Sequence, residues 1–363
     1  MIDSLPDIRN IDVSGKTVFV RLDLDVPLCK DEIEDETRLI AGLPTVQYLL
    51  EQGAKVIIGG KLGRPKGFDK LFSLAPATKW FAEKFKFNGS SVIVQDAKIG
   101  EFPGWKLTEN LFLLENLQFY EGEVKNDLEF SKKLASLAEI YVNDAFAMCH
   151  RDNASITGIA KLLPHFAGFH LQKEVSELGS LLQNPKRPLV VLIGGAKIET
   201  KLPLVEKMHS FADYVLVGGK IASESKELIK EQHRKIPGRK SVLFVADLNN
   251  EGTDITSQDS ENFLQIINLA KTIIWNGPMG LIRLECRIKN GVIEDEESER
   301  GTRVIAQGIA RINAYKVAGG GDTVEFLQKL KLTNKFDFVS TGGGAMLSFL
   351  SGEKLPGLEA LTC

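Results

Sequence analysis

The sequence predicts an α/β fold made of two doubly wound parallel-sheet domains. Short β-branched runs recur along the chain, and each is followed by a glycine or polar turn and then by an amphipathic stretch. This alternation is typical of a parallel sheet with helices on both faces. The length of 363 residues favours two such domains, because a single hydrophobic core stops growing at about 250–300 residues.

The predicted strands fall into two sets along the chain. The first set comprises residues 17–22, 55–59, 92–95, 111–115 and 140–144. The second set comprises residues 189–193, 214–217, 242–246, 272–275, 315–318 and 337–340. We interpret each set as the sheet of one Rossmann-like domain.

A predicted helix over 169–184 separates the two sets. Apolar residues recur there every three or four positions, as on one face of a helix: Leu171, Val175, Leu178 and Leu182. Pro185 ends the pattern, since proline cannot continue a helix. We interpret the segment as an interdomain helix with a hinge, and a single large sheet with an ordinary connecting helix is the alternative.

The composition excludes several classes of protein. Hydrophobic residues make up 43% and charged residues 26%, and no run of about 18 apolar residues occurs, which excludes a membrane protein and a disordered one. The net charge of -3 argues against a nucleic-acid partner. The cysteines are far apart and form no C-x-x-C pair, which disfavours disulfides and structural zinc. The N-terminus has no signal-peptide core, so we expect a cytoplasmic protein.

Charged side chains follow the strands of the first set. Ligands bind at the carboxyl ends of parallel strands, so residues directly after each run are candidates. Lys61, Arg64 and Arg151 follow such runs, and Arg38 lies at the start of the amphipathic stretch after the first run. We call these four cations the cationic mouth. Arginine and lysine pair with phosphate or carboxylate, and the carboxylates of Asp23 and Asp25 can accept a hydrogen bond from a hydroxyl. The set predicts a small anionic ligand with a hydroxyl group, although each charge taken alone fits an ordinary surface residue.

Glycines follow the strands of the second set. We call these strand ends the glycine rim: residues 194–197, 218–219, 276–280, 319–323 and 341–344. Glycine lets backbone N–H groups approach phosphates, and a helix N-terminus adds positive potential, so the rim predicts a nucleotide site. Lys197 and Lys201 lie four residues apart and would face one side of a helix. Asp322 fits a metal ion bridging phosphates or, alternatively, a helix N-cap.

Two common nucleotide motifs are absent, and a third match is a coincidence. Neither G-x-G-x-x-G after the first strand nor G-x-x-x-x-G-K-[ST] occurs. The tripeptide His150-Arg151-Asp152 matches the catalytic loop of protein kinases, but the required asparagine and D-F-G do not follow.

Nine sequence blocks, in order, resemble those of the phosphoglycerate kinase family. They are RLDLDVP, DETRLIAGLPT, KLGRPKG, LLENLQF, VNDAFAMCHR, GGAKIETK, WNGPMG, GGGDT and STGGGA. The resemblance runs from residue 17 to residue 361, which is nearly the whole chain.

The resemblance implies a fold, an activity and a division of the chain. Residues 1–168 would bind 3-phosphoglycerate, 169–184 would form the interdomain helix, 185–340 would bind the nucleotide, and 341–363 would return to the first domain. The implied reaction is reversible phosphoryl transfer between ATP and the carboxylate of 3-phosphoglycerate, giving 1,3-bisphosphoglycerate and ADP, a step of glycolysis and gluconeogenesis. It implies Mg²⁺ with ATP or ADP, closure by a hinge, and a monomer.

The resemblance also implies roles for individual residues. On the substrate side these are Asp23, Leu24, Asp25, Arg38, Lys61, Leu62, Gly63, Arg64, Gln118 and Arg151. On the nucleotide side they are Gly194, Gly195, Lys197, Lys201, Gly218, Gly219, Asn276, Pro278, Arg283, Gly320, Gly321, Asp322 and Thr323. Asp322 would face magnesium. Arg38, Lys197 and Gly343 would act on the transferring group.

Several positions depart from the family pattern. Asp25 stands where asparagine is expected, Lys61 where histidine is expected, and Gln118 where arginine is expected. On the nucleotide side Arg283 replaces a glutamate, and the segment before the strand at 242 is short. These departures leave open a related acid kinase with an altered acceptor, a non-catalytic ligand-binding paralogue and the choice of nucleotide base.

Overall fold

The chain divides into two compact units. The computed structural model describes residues 5–29, 32–85, 94–196, 198–222, 225, 241–282 and 296–362. The first unit comprises Met1–Ser176 and Lys354–Cys363, and the second comprises Glu177–Glu353. Among the described residues, no helix has both the length and the apolar character that crossing a membrane requires.

A seven-stranded sheet forms the centre of the first unit. The strands of this unit are β1 (Thr17–Leu22), β2 (Leu28–Cys29), β3 (Glu32–Ile33), β4 (Lys55–Gly59), β5 (Gln95–Ile99), β6 (Phe102–Thr108), β7 (Leu111–Leu114), β8 (Ile140–Asp144) and β9 (His165–Ala167). The spatial order is β5-β6-β7-β4-β1-β8-β9, and β2 and β3 form a separate hairpin. The strands from β7 to β9 are parallel, whereas β6 runs antiparallel to both of its neighbours.

Helices cover this sheet because their apolar faces pack on its buried strands. They are α1 (Thr37–Glu51), α2 (Ala75–Lys84), α3 (Glu121–Val124) and α4 (Leu128–Ala135). Leu39 and Val46 of α1 join Val18 and Val56 of the sheet in one core, and all four are fully buried. Helix α4 begins where the side chain of Asp127 accepts a hydrogen bond of 2.8 Å from the Phe130 amide, the usual role of an N-cap aspartate.

The second unit contains a six-stranded sheet that is parallel throughout. Its strands are β10 (Leu189–Ile193), β11 (Tyr214–Val217), β12 (Val242–Val245), β13 (Thr272–Asn276), β14 (Tyr315–Gly319) and β15 (Phe338–Ser340), in the order β12-β11-β10-β13-β14-β15. Its helices are α6 (Ile198–Phe211), α7 (Ser257–Ile267), α8 (Arg300–Arg311), α9 (Gly321–Lys329) and α10 (Gly344–Ser351). Every residue of β10 and β13 is buried, as expected for central strands with helices on both faces.

The predicted fold class is confirmed by the two sheets, of which the first is parallel from β7 to β9 and the second is parallel throughout. The hairpins β2–β3 and β5–β6 were not predicted from the sequence. Strand β5 leaves Gln95, Asp96 and Lys98 exposed and buries no residue fully, so it has no apolar face that a sequence pattern could reveal. The predicted run 92–95 lies partly outside the described residues.

Helix α5 (Phe169–Gln183) crosses the boundary between the two units. Two side chains of the first unit fix its start: the Phe169 amide donates a 2.9 Å bond to Oγ1 of Thr45, and the Leu171 amide donates a 2.9 Å bond to Oδ1 of Asp144. Burial raises the pKa of Asp144 to about 7, so this capping carboxyl is close to its titration point at neutral pH.

The end of the chain belongs to the first unit from Lys354 onward. Helix α11 (Pro356–Glu359) lies in this segment, and the Gly357 amide donates a 2.9 Å bond to the backbone oxygen of Cys149. Residues 341–353 lie in the second unit, because α10 packs on α6 there.

Candidate active site

Four loops meet at the carboxyl edge of the first sheet. They follow β1, β4, β7 and β8, which are adjacent in the order β7-β4-β1-β8. The carboxyl ends of neighbouring parallel strands lie at the same edge, so the loops lie side by side. Every residue predicted for the substrate side lies in one of these loops or at the start of α1.

Arg38 is held at the first loop by two oxygen atoms. Its Nη1 donates a 2.6 Å hydrogen bond to the backbone oxygen of Asp25. Its Nε lies 3.3 Å from Oδ2 of Asp23, whose side chain is only 3% exposed. The Asp23 carboxylate raises the pKa of Arg38, against the opposing effect of burial. The guanidinium is therefore an oriented cation that still keeps 27% of its side chain exposed.

Asp25 and Lys61 form an ion pair between the first and second loops. The Lys61 ammonium contacts Oδ2 of Asp25 and donates a second bond, of 3.2 Å, to the backbone oxygen of Gly63. The Gly63 amide donates a 2.8 Å bond to Oδ1 of Asp25. Burial alone would raise the pKa of Asp25, but the nearby Lys61 charge and these hydrogen bonds bring it below its ordinary value. Asp25 and Lys61 are two of the three substrate-side positions that depart from the family pattern, and their opposite charges neutralise each other.

Asn116 fastens the loop that carries Lys61 and Arg64. Its Oδ1 accepts bonds of 3.1 and 3.0 Å from the amides of Leu62 and Gln118, and its Nδ2 donates bonds of 2.8 and 2.9 Å to the backbone oxygens of Leu62 and Phe72. Asn116 is fully buried. The sequence patterns assign no role to Asn116, since its bonds join segments that are far apart in sequence.

We expect Asn116→Ala to raise the KM for the first unit's ligand about tenfold and to lower stability by about 2–3 kcal/mol. The variant leaves buried amides and carbonyls of two loops without partners, and it releases the loop that positions the cations. Ligand titration and thermal unfolding measure the two effects. The matched control is Asn110→Ala in the exposed turn before β7. An Asn116→Ala variant with an unchanged KM would contradict the positioning role.

The remaining cations of the mouth lie around His150. Arg64 and Arg151 are exposed and Gln118 is half-buried. Burial lowers the pKa of His150, and the positive charges of Arg151, Lys61 and Arg64 lower it further. The loops that carry Lys61, Arg64 and Arg151 lie at the same edge of the sheet, and the joint positive potential of these side chains favours an anion there. The sequence patterns assign no role to His150.

The side chains of Leu24 and Leu62 belong to the hydrophobic core of the first unit. Both side chains are buried. Leu24 occupies the space beside Gly60, where a Cβ atom would lie 2.5 Å from Cδ1 of Leu24. Glycine at position 60 is therefore explained by the core beneath the loop.

The glycine rim lies at the carboxyl edge of the second sheet. Lys201 is 9% exposed, and its ammonium donates bonds of 2.6 Å to Oδ1 and 3.2 Å to the backbone oxygen of Asn276. A Cβ atom on Gly320 would lie 3.2 Å from the same Oδ1. Asn276 therefore brings together Lys201 and the loop at Gly320.

Several rim glycines are required by the neighbouring backbone. A Cβ atom on Gly194 would lie 2.1 Å from the Pro278 oxygen, and one on Gly277 would lie 2.1 Å from the Gly194 oxygen. The Gly218 amide donates a 3.0 Å bond to the Ile193 oxygen, and the Gly219 amide donates a 2.9 Å bond to the Met279 oxygen. These contacts pack three loops backbone to backbone, which only glycine permits.

Other rim residues leave open space beside a helix N-terminus. A Cβ atom on Gly321 or Gly343 would meet nothing within 4 Å, so a ligand can approach the backbone at the starts of α9 and α10. The Thr323 side chain is buried and accepts a 2.8 Å bond from the Gly277 amide. Anions bind readily at such helix starts. Gly195 lies half-buried beside Lys201.

Asp322 is the acidic residue in the first turn of α9 and is exposed. The N-cap of α9 is Gly320, so Asp322 does not occupy that position. Within the described ranges, no group of three or more His, Cys, Asp or Glu is arranged to hold a metal ion. An exposed carboxylate at a helix start fits Mg²⁺, which is commonly bound by one or two carboxylates together with water and substrate phosphates.

Two predicted nucleotide-side residues, Lys197 and Arg283, lie outside the described residues. The same holds for most of the short segment before β12.

The chain matches known proteins along almost its whole length. The family model described as "Phosphoglycerate kinase" matches residues 8–237 and 224–353. A phosphoglycerate kinase of Dictyoglomus turgidum is 36% identical, with 98% of each chain aligned. The structure of phosphoglycerate kinase from Coxiella burnetii has a TM-score of 0.77 and 31% identity, and covers 99% of each chain.

A second solved structure agrees with the first. The phosphoglycerate kinase of Pyrococcus horikoshii OT3 has a TM-score of 0.78 and 30% identity, over 99% of this chain and 98% of that one. The chain belongs to the phosphoglycerate kinase family, and it is accordingly a phosphotransferase.

Proposed function

We propose that the chain transfers a phosphoryl group reversibly between ATP and the carboxylate of 3-phosphoglycerate, giving 1,3-bisphosphoglycerate and ADP. The observation that carries the proposal is the contrast between the two units. The first presents oriented cations at its sheet edge, and the second presents glycine loops and helix starts at its own. The relatives do not favour an altered acceptor or a non-catalytic role. Cytoplasmic location and a monomeric state are part of the proposal.

On the substrate side, Arg38 is assigned to the carboxylate that receives the phosphoryl group. Its guanidinium is oriented by Asp23 and by the Asp25 backbone, so little conformational entropy is lost when it binds a carboxylate. Arg64 and Arg151, with Gln118, are assigned to the phosphate of the acceptor. Asp23, Asp25 and the loop at Gly63 would face the region of the hydroxyl.

On the nucleotide side, Lys201, Asn276 and the loop from Gly320 to Thr323 are assigned to the phosphates and ribose. Gly194, Gly195, Gly218, Gly219 and Pro278 would shape the slot for the base. Asp322 would hold Mg²⁺, which when bound neutralises charge on the nucleotide phosphates. Lys197 and Arg283 stay in the proposed set on the resemblance alone.

The reaction needs no general base. The acceptor carboxylate has a pKa of about 4 and is ionised at neutral pH. Catalysis then consists of positioning and of neutralising the charge of the transferring group, and Arg38 and the backbone amides at Gly343 are suited to that work. Direct transfer requires the two ligands to meet without water, so the proposal includes a hinge movement at α5 and at the residues preceding Thr341.

A trapping assay tests the proposed function. Purified protein is incubated with MgATP, 3-phosphoglycerate and hydroxylamine, which converts an acyl phosphate into a hydroxamate that is detected as its coloured complex with ferric ion. We expect hydroxamate only when both substrates are present, and none when D-glycerate replaces 3-phosphoglycerate. If no hydroxamate forms with both substrates at millimolar concentrations, the proposed function is wrong.

We expect Gln118→Arg to lower the KM for 3-phosphoglycerate about tenfold. An arginine adds a charge-assisted hydrogen bond to the phosphate, worth about 1.5–3 kcal/mol before solvent screening reduces it. Initial rates at varied 3-phosphoglycerate measure the change. The control is Gln47→Arg on an exposed position of α1, which adds the same charge outside the mouth. An unchanged KM in Gln118→Arg would show that this position does not face the phosphate.

A further inference from the structure

The positive charge of Lys61 is largely compensated within the protein and is therefore less available to a ligand than its position suggests. Its side chain is 10% exposed and is paired with Asp25. It also donates to the Gly63 backbone oxygen at 3.2 Å, so two of its three N–H donors are used within the protein. Asp25, with 32% of its side chain exposed, is the more accessible member of the pair.

The pair also closes a ring between two loops. Asp25 accepts from the Gly63 amide at 2.8 Å, and its backbone oxygen accepts from Arg38 at 2.6 Å. Arg64, which follows Gly63 directly, is exposed. The ion pair therefore joins the loop that binds Arg38 to the loop that continues into Arg64.

We propose that Asp25 and Lys61 act as one ion-paired unit that sets the net charge of the cationic mouth. Lys61 serves as the counter-ion of Asp25, and the phosphate of the acceptor is bound by Arg64 and Arg151. This inference rests on the proposed function and refines it, because it makes Asp25 and Lys61 determinants of affinity that act through charge. They are positioning residues and do not contact the reacting atoms.

The net charge of the mouth in each variant predicts whether its affinity for 3-phosphoglycerate rises or falls. The intact pair contributes no net charge to the mouth. Asp25→Asn keeps an oxygen for the Gly63 amide but leaves Lys61 as an uncompensated cation, so 3-phosphoglycerate should bind about tenfold more tightly. Lys61→Met keeps an apolar stem of similar length but leaves the Asp25 carboxylate uncompensated, so binding should weaken about tenfold. In the double variant the two effects should cancel to within about threefold of the unmodified protein.

The experiment is calorimetric titration of 3-phosphoglycerate into the unmodified protein, both single variants and the double variant, at three salt concentrations. Affinity should fall most steeply with salt in Asp25→Asn and least in Lys61→Met, because salt screens the net charge. Lys16→Met, an exposed lysine directly before β1 at the opposite end of that strand, is the control for the loss of one positive charge. Thermal unfolding shows whether each variant is folded. If Lys61→Met does not fold, the titration is repeated with Lys61→Gln.

Two results would overturn the inference. If Asp25→Asn weakens binding, and the double variant binds more weakly than either single variant, the two side chains are independent ligands. If all variants bind alike at every salt concentration, the pair does not set the charge of the mouth. If the unmodified protein itself fails to bind 3-phosphoglycerate, the proposed function fails, and this refinement with it.

Discussion

Arg38→Ala is expected to lower kcat about 10³-fold. The guanidinium is oriented by Asp23 and by the Asp25 backbone, and the proposal assigns it to the carboxylate that attacks the phosphoryl group. Removing one donor from a developing charge typically lowers kcat by about 10²–10³, and removing an arginine from a phosphoryl-transfer site by about 10³–10⁵. Steady-state rates in the hydroxamate assay, with both substrates saturating, measure the loss.

Stability must be separated from catalysis in this variant. Loss of Arg38 leaves the buried carboxylate of Asp23 without its ion-pair partner, and we expect a destabilisation of about 2 kcal/mol. Denaturant unfolding measures this loss of stability. The rate is then calculated from the concentration of folded protein alone. Arg38→Lys should recover part of the rate, because it restores charge but not the planar fork. Arg311→Ala, at an exposed position in the last turn of α8, is the control, and undiminished turnover in Arg38→Ala would contradict the assignment.

Lys201→Met is expected to lower kcat/KM for ATP about 100-fold while the affinity for 3-phosphoglycerate stays within about twofold. Lys201 is 9% exposed and its ammonium is held by Asn276, so it is a fixed charge beside the loops assigned to the nucleotide phosphates. A charge-assisted bond to phosphate contributes about 1.5–3 kcal/mol, which corresponds to about 10- to 150-fold. Initial rates at varied ATP, and direct titration of each substrate, measure both numbers.

The same helix provides a matched control. Lys207→Met makes the same substitution in α6 at an exposed position, and it should leave kcat/KM for ATP unchanged. Methionine fills most of the volume of the buried lysine stem, so the Lys201→Met variant should remain folded. Equal effects of Lys201→Met on both substrates would indicate a general structural defect and contradict the assignment to the nucleotide.

The fold could be predicted largely because its central strands are buried on both faces. Runs such as 189–193 and 273–275 are apolar without interruption, as is typical of parallel strands that are buried on both faces. Helix α5 was predicted from a different pattern, because apolar residues recur there every three or four positions, as on one face of a helix. The β5–β6 hairpin could not be predicted, because β5 buries no apolar face. The extent of the returning C-terminal segment depends on packing between α10 and α6, which no local pattern encodes.

The site was predictable as a list of residues and less so as a set of interactions. The rule that ligands bind at the carboxyl ends of parallel strands selected the loops that carry Asp23, Lys61 and Asn276. It could not show that Asp25 and Lys61 neutralise each other, since these residues are 36 positions apart. Nor could it show why Gly194 and Gly277 are glycines: the sequence suggested ligand approach, and the structure shows close packing between loops.

The central claim is that each unit recognises one of the two substrates. Calorimetric titration of both substrates into Arg38→Ala and Lys201→Met tests it most directly. We expect Arg38→Ala to lose affinity for 3-phosphoglycerate and to keep its affinity for MgATP, and we expect the reverse for Lys201→Met. If either variant loses affinity for both substrates while remaining folded, or if the losses are exchanged, the account of two separate recognition sites is wrong.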